Sequence, residues 1–268
     1  MHRRGAGEPK QVVTLHHGLR YRMTKSLDRE AVVVYLTTTL LLVTFELVGK
    51  PQAFVGLGLE QPLAALLGPA YAPYRSLLSV QYWGMASLLL RTIIPVVVIV
   101  LLREQPSAFG FTLRGQRTTV KPYALALAAM LPVLFMAAAL PSFQRKYPLF
   151  RDAAQGGWYF WGYQLFYGLQ FLGLEAFFRG FALFGLARHI GVHAVPVMTI
   201  PYVMVHFGKP VPEVFAAIVA GLVLGTWALR SGSFLWGWLL HWTVAISMDL
   251  FVMTRQLGLG AVVHRLFW

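Results

Sequence analysis

The chain has 268 residues, of which 57% are apolar and only 12% are charged, and its formal net charge is +13. A soluble domain carries about twice that charged fraction, so the composition excludes an ordinary soluble enzyme. The absence of cysteine excludes disulfides and thiolate metal sites, and basic residues placed between apolar blocks favour a lipid bilayer over nucleic acid as their partner.

The first thirty residues are polar and basic. They contain Arg3, Arg4, Lys10, Arg20, Arg22, Lys25 and Arg29. The apolar run that follows is too long for the core of a signal peptide, and no small-residue cleavage site ends it. We therefore expect residues 1–30 to be a cytoplasmic segment that leads into a first transmembrane helix.

Apolar blocks then recur along the chain, each close to the ~20 residues that a helix needs to cross a bilayer. Six or seven spans can be drawn, at Ala31–Gly49, Leu78–Leu102, Tyr123–Leu140, Trp158–Leu186, His189–Gly208, Val211–Leu229 and Ser233–Met253. The stretch from Gln52 to Arg75 is broken by Gly and Pro and is predicted to be interfacial or re-entrant. The sequence thus predicts an all-α, polytopic transmembrane bundle of about seven or eight spans.

Four regions follow from this pattern: the segment 1–30, amino-terminal helices over 31–140, a helical core over 158–253 and an interfacial tail over 254–268. The segment before the first span and the loop with Arg103, Arg114, Arg117 and Lys121 together carry eleven basic residues, more than the loops on the facing side. By the positive-inside rule the amino terminus is cytoplasmic, and a bacterial inner membrane is the expected location. Ala217, Gly221 and Gly225, spaced by four, predict close packing of one helix within the bundle.

Ionisable residues inside membrane spans are costly and by default mark function. Glu175 and Arg179 are four residues apart and share a helix face, as a catalytic pair or as a structural ion pair. His206 follows an apolar run and either borders a water-filled cavity or lies at the interface. His241 is near the middle of the last span, and Asp249 is about 12 Å further along that helix.

Three further charged residues have simpler interpretations. Glu46 and Arg91 are predicted to form an interhelical pair or to extend toward the membrane interface. Glu213 follows Pro212 and favours a helix amino end through the macrodipole. Its closeness in sequence to His206 leaves a role in the site open.

Three motifs in order resemble those of the CAAX-processing and bacteriocin-processing (CPBP, or Abi) intramembrane proteases. They are Leu174-Glu175-Ala176-Phe177-Phe178-Arg179-Gly180, Tyr202-Val203-Met204-Val205-His206 and His241-Trp242-Thr243-Val244-Ala245. The resemblance covers roughly Trp158 to Met253. Two positions depart from the family pattern: Leu174 stands where the family has a first glutamate, and Ala245 stands where it has Asn or Asp.

The resemblance implies catalytic roles for four residues. Glu175 would be the general base, held by Arg179, while His206 orients the water and His241 donates to the oxyanion. No cofactor is expected. An alternative is a divalent metal such as zinc, with Glu175, His206 and His241 as its ligands.

Three functions remain open from the sequence. The leading one is a glutamate-type intramembrane endopeptidase that cleaves a membrane-delivered peptide or protein. The second, suggested by Leu174 and Ala245, is a non-catalytic family member that binds or protects a membrane partner. The third is a transporter or channel, against which stands the absence of an internal repeat.

Overall fold

The computed structural model describes residues 12–14, 20–22, 28–113 and 116–268. Several basic residues of the predicted cytoplasmic segments lie outside these ranges: Arg3, Arg4, Lys10, Lys25 and Arg114. Two short strands, β1 (Val12–Thr14) and β2 (Arg20–Arg22), pair antiparallel within the predicted cytoplasmic segment. The rest of the regular structure in the described residues is helical, which confirms the predicted all-α bundle.

Thirteen α-helices make up the described part of the chain. The first seven are α1 (Arg29–Val48), α2 (Pro51–Gly56), α3 (Glu60–Leu67), α4 (Tyr71–Leu88), α5 (Ile94–Leu101), α6 (Gln116–Ala137) and α7 (Pro141–Lys146). The other six are α8 (Gly157–Glu175), α9 (Leu183–Ile190), α10 (Ala194–Met204), α11 (Val211–Ser231), α12 (Leu235–Leu257) and α13 (Leu259–Phe267). Short 3-10 turns lie at Gly68–Ala70, Pro106–Phe109, Arg151–Gln155 and Gly191–His193.

Two π-helical turns interrupt the longest helices. Leu89–Ile93 joins α4 to α5, and Ala176–Ala182 joins α8 to α9. Turns of this kind are rare and occur frequently at functional sites. Each contains one arginine, Arg91 in the first and Arg179 in the second.

Six described segments are long and apolar enough to cross a membrane. They are Arg29–Val48, Glu60–Leu101, Thr119–Ala137, Gly157–Met204, Val211–Ser231 and Leu235–Leu257. The 3-10 turn at Gly191–His193 divides the 48-residue segment, which therefore contains the predicted fourth and fifth spans together. The chain is thus an integral membrane protein, and its six such segments are roughly consistent with the predicted seven or eight spans.

Several predicted boundaries were wrong. Helix α4 already begins at Tyr71, so the last residues of the predicted interfacial stretch belong to the second span, and the rest of that stretch folds as α2 and α3. Helix α12 continues to Leu257, and α13 follows it with Val262 and Leu266 buried. Gly and Pro within these stretches divide them into short helices: α2 ends at Gly56, and Gly68 and Gly258 follow the last residues of α3 and α12.

The predicted fifth span is much shorter than expected. Helix α10 has 11 residues, so at 1.5 Å per residue it is about 17 Å long. That is roughly half of the ~30 Å hydrocarbon core. The turn after α10, which carries His206, therefore lies inside the bundle, and His206 is only 9% exposed.

Small residues allow the core helices to approach each other. A Cβ atom on Gly221 of α11 would lie 2.6 Å from Thr199 Cγ2 of α10, and one on Gly225 would lie 3.1 Å from Val195. Helices α4 and α8 are also close, because a Cβ on Gly84 would lie 2.5 Å from the Phe166 carbonyl oxygen. The predicted packing role of the Ala217, Gly221 and Gly225 row within the bundle is confirmed.

Replacing Gly221 with Val is expected to lower stability by about 1–3 kcal/mol, because the added methyl groups overpack the α10–α11 contact. Thermal unfolding in detergent measures the change as a lower Tm. Gly260 of α13 is the matched control, since a Cβ there meets no atom within 4 Å. An equal loss of stability in Gly260→Val would contradict the packing explanation.

Candidate active site

The π-helical turn after α8 holds a fully buried ion pair. Arg179 Nη1 donates to Glu175 Oε1 at 2.9 Å, and both side chains have no exposed surface. The Arg179 guanidinium also lies 3.7 Å from the centre of the Tyr202 ring. Because either charge alone would be very costly at this depth, the pair fixes the position of the Glu175 carboxylate.

The second carboxylate oxygen of Glu175 is free of protein donors. Oε2 is buried, and no described residue forms a hydrogen bond with it. A Cβ atom on Gly237 of α12 would lie 3.1 Å from this oxygen. Gly237 therefore leaves Oε2 open on the α12 side, where a water or a substrate group would satisfy its lone pairs.

His241 of α12 binds the same carboxylate oxygen as Arg179. Its Nδ1 lies 2.9 Å from Glu175 Oε1, and because a carboxylate only accepts, Nδ1 carries the proton. The ring packs against Phe171 in a tilted arrangement, with centroids 4.3 Å apart. Nε2 is thus the nitrogen that remains for another partner.

His206 is oriented by its own backbone. Its Nδ1 donates to the Tyr202 carbonyl oxygen at 2.8 Å, which leaves Nε2 as the acceptor of a neutral ring. Burial, and next the nearby His241, lower the pKa of His206 to about 4, so this ring is neutral at pH 7. The rings of His206 and His241 are nearly parallel, with centroids 6.3 Å apart.

The predicted set Glu175, His206 and His241 is therefore brought together. Glu175 touches His241 directly, and His206 lies across a gap of a size that a small molecule such as water can bridge. Arg179 is joined to this set by its ion pair with Glu175. The structure places all four side chains in one buried cluster between α8, α10 and α12.

A set of hydrogen bonds supports the turn that carries His206. The Tyr147 hydroxyl lies 2.6 Å from the Glu213 carboxylate oxygens and accepts from Lys209 Nζ at 2.7 Å. The Lys209 N–H donates to the His206 carbonyl oxygen at 3.1 Å. Burial lowers the pKa of Lys209 and raises the pKa of Tyr147. Glu213 thus supports the His206 turn from the side, without contacting the imidazole.

The two departures from the family pattern are both in apolar surroundings. Leu174 is 5% exposed and packs in the cluster that contains Leu41 and Phe177. Ala245 is 7% exposed and packs in another cluster, with Tyr167. Neither position offers a polar group to the site.

Asp249 belongs to a separate polar contact. It is fully buried, and its Oδ2 accepts from Gln164 Nε2 of α8 at 2.9 Å. Among the described residues, no hydrogen bond joins Asp249 to His241. Asp249 therefore does not take over the role that the family gives to the residue at Ala245.

The alternative metal ligand set of Glu175, His206 and His241 stays a prediction. Glu175 Oε1 and His241 Nδ1 are engaged in their mutual hydrogen bond. No group of three or more His, Asp or Glu side chains in the described part of the chain is placed to hold a metal.

An apolar cleft of about 480 Å³ is lined by residues of four segments of the bundle. Its walls are Thr92, Phe111, Thr112, Leu113, Leu172, Phe234 and Leu235. Leu172 is three residues before Glu175 on α8, and Leu235 is two residues before Gly237 on α12. The cleft therefore involves the same two helices as the Glu175 site, although no residue of the site lines it.

Comparison with known protein families gives a match in this region. Residues 156–247 match the family model described as type II CAAX prenyl endopeptidase Rce1-like. This segment is similar to that family. It extends from the start of α8 into α12 and contains Glu175, Arg179, His206 and His241, which confirms the resemblance predicted from the three motifs. Searches among curated proteins and solved structures gave no significant match.

The Rce1-like match supports a membrane protease at the level of the family. Three residues of the site were missed by sequence reasoning. Gly237 carried a detectable signal, since it lies one helical turn before His241. Tyr147 and Lys209 carried none, because their role depends on a loop that meets the His206 turn only in the folded chain.

Proposed function

We propose that the chain is an intramembrane endopeptidase of CAAX type, which hydrolyses a peptide bond in a lipid-modified peptide or protein delivered by the membrane. One observation carries the proposal: Glu175 has one oxygen fixed by Arg179 and His241, while its other oxygen is buried, free of protein donors and open toward Gly237.

In the proposed reaction, a water lies between Glu175 Oε2 and His206 Nε2. Both atoms accept hydrogen bonds, so together they orient the water and leave its oxygen free to attack. Glu175 Oε2 takes one proton as that oxygen bonds to the scissile carbonyl carbon. A positioned general base of this kind contributes roughly 10²- to 10⁴-fold to the rate.

The oxyanion of the tetrahedral intermediate then needs a hydrogen-bond donor. In its imidazolium form, His241 keeps Nδ1 on Glu175 and donates Nε2–H to the developing oxyanion, a contribution that is larger in a water-poor site. Collapse of the intermediate breaks the C–N bond, and the proton held by Glu175 passes to the leaving amine. The products are an amine and a carboxylic acid, which ionises when it reaches water, and Glu175 is regenerated.

The apolar cleft supports a lipid-modified substrate. Its volume of about 480 Å³ falls within the ~300–1,000 Å³ of typical ligand pockets, and its lining is mainly Leu and Phe. A prenyl chain, as in the family's description, has the chemistry that such a cleft accepts. Leu172 of its wall is three residues before Glu175 on α8, so a lipid in the cleft would lie along the helix that carries the buried carboxylate.

Replacing Gly237 with Val tests this proposal. The added methyl groups would displace the water from Glu175 Oε2, and we expect about a 10²-fold loss in kcat, the size of effect that small misplacements in a site cause. The assay is cleavage of a farnesylated peptide by the purified protein in lipid nanodiscs, followed by mass spectrometry.

Gly221→Val is the control for this experiment, because it crowds a helix contact away from Glu175. Below its lower Tm, that variant should cleave at close to the native rate. The proposal fails if the native protein yields no cleaved peptide, or if Gly237→Val cleaves as fast as the native protein.

A further inference from the structure

Arg91 is a buried cation that the proposed reaction does not use. It lies on the π-helical turn Leu89–Ile93, is 3% exposed, and its guanidinium carbon lies 3.4 Å from the centre of the Phe45 ring. The predicted pair with Glu46 is not formed, since Glu46 pairs with Lys50 instead.

No described carboxylate lies within ion-pair distance of this guanidinium, and Glu46 acts on it only at longer range. Its Nε is buried without a partner, and among the described residues Arg91 forms no hydrogen bond and no ion pair. A charge within a membrane span is costly, and unpaired examples mark binding paths and functional sites. The Phe45 ring offsets part of that cost, but it leaves the hydrogen-bonding groups of the guanidinium unused.

The depth of Arg91 matches that of Glu175. Helices α4 and α8 run in the same direction, because Gly84 meets Phe166 and Ser87 meets Gly173. Arg91 is four residues beyond Ser87, and Glu175 is two beyond Gly173. At 1.5 Å per residue, the two side chains start from levels about 3 Å apart along the helices.

The turn that carries Arg91 also borders the apolar cleft. Thr92, its neighbour in sequence, is part of the cleft wall. Leu89 and Ile93 are about half exposed on the outer surface, where lipid chains would lie. A ligand that enters the cleft from the bilayer would therefore pass close to this turn.

We infer that Arg91 binds the terminal carboxylate of the substrate. This inference rests on the proposed CAAX-type function. In a chain that ends C-a-a-X, the terminal carboxylate is three residues from the prenylated cysteine, which is about 10 Å in extended form. Thr92, the neighbour of Arg91, lines the cleft, so the carboxylate of a substrate whose lipid occupies the cleft would lie within about that distance of the turn that carries Arg91.

The terminal carboxylate of such a substrate and the Arg91 guanidinium carry opposite charges. Such a peptide end carries one negative charge into the bundle, and Arg91 supplies an unpaired positive charge at the matching depth. A guanidinium binds a carboxylate through two parallel hydrogen bonds, which would satisfy the donors that Phe45 leaves unused.

The test compares two farnesylated peptides that differ only at the terminus, one a free acid and the other an amide. Binding is measured in nanodiscs on the Glu175→Gln protein, so that the peptide is not consumed. We expect the acid to bind about 10- to 100-fold more tightly than the amide, as for hydrogen bonds to a charged group. Arg91→Gln should remove this preference, and Arg91→Lys should keep part of it.

Arg103→Gln, which removes an arginine just beyond α5, is the matched control and should keep the preference. Equal binding of acid and amide by the protein with Arg91 intact overturns the inference, and this comparison needs no Arg91 variant to fold. An equal loss for both peptides in Arg91→Gln also overturns it and indicates a lipid phosphate or a packing role. Absence of hydrolysis with an Arg91-dependent acid preference would reject only the proposed reaction.

Discussion

Replacing Glu175 with Gln is expected to lower the hydrolysis rate by about 10²- to 10⁴-fold, the contribution of a positioned general base. The amide keeps the size of the side chain but cannot take a proton from water. Because Oε2 is the buried oxygen that faces Gly237, no other described carboxylate can replace it. Single-turnover cleavage of a farnesylated peptide measures the loss.

Asp249→Asn is the matched control for this change. Asp249 is also a fully buried carboxylate, but it bonds Gln164 rather than the histidines. An amide at this position still hydrogen-bonds with Gln164, so cleavage should stay within a few-fold of the native rate. If both variants lose activity equally, the loss reflects buried carboxylates in general and Glu175 has no special role.

Replacing Arg179 with Met is expected to destabilise the protein by about 3–5 kcal/mol, the cost of removing one partner of a buried pair. Glu175 would keep only His241 as a neighbour of opposite charge, and the Tyr202 ring would lose its stacked guanidinium. Unfolding in mixed detergent measures the free energy.

Two comparisons make this prediction specific. Arg188→Met removes a partly exposed arginine that pairs with Glu30 and Glu104, and a pair of this kind is worth only about 0–1 kcal/mol. The double variant Glu175→Gln with Arg179→Met should be more stable than Arg179→Met alone, because no unpaired charge remains. A double variant that is less stable would contradict the account.

The sequence predicted which titratable side chains lie together better than it predicted the helix boundaries around them. Glu175, Arg179, His206 and His241 could be found because a charged or titratable residue in an apolar span is rare and costly. All four lie within the matched segment 156–247. Their catalytic roles, and the significance of Leu174 and Ala245, stay predictions from the resemblance.

Other features depend on contacts that no local pattern encodes. The partner of Arg91 was predicted to be Glu46, but Lys50 lies on the same helix face as Glu46, one turn away, and takes that role. The length of α10 was overestimated because the residues after Met204 remain apolar although the helix ends there. Likewise, Tyr147 reaches the His206 turn from a distant loop.

Leu174 and Ala245 replace two polar residues that the family resemblance implies, which leaves Glu175 as the carboxylate available for the proposed reaction. Leu174 lies in an apolar cluster and Ala245 offers no side-chain hydrogen bond. Under the proposed function, Glu175 therefore acts as base and as proton donor without help from either position. The proposed reaction therefore depends on a single oxygen atom, Glu175 Oε2.

The most direct measurement is cleavage of a farnesylated peptide by the nanodisc-bound protein in H₂¹⁸O, with the products identified by mass spectrometry. The account predicts one ¹⁸O atom in the new carboxylate of the native enzyme's product and essentially no product from Glu175→Gln. An intact peptide with the native protein, or a labelled product that forms equally fast with Glu175→Gln, would contradict it.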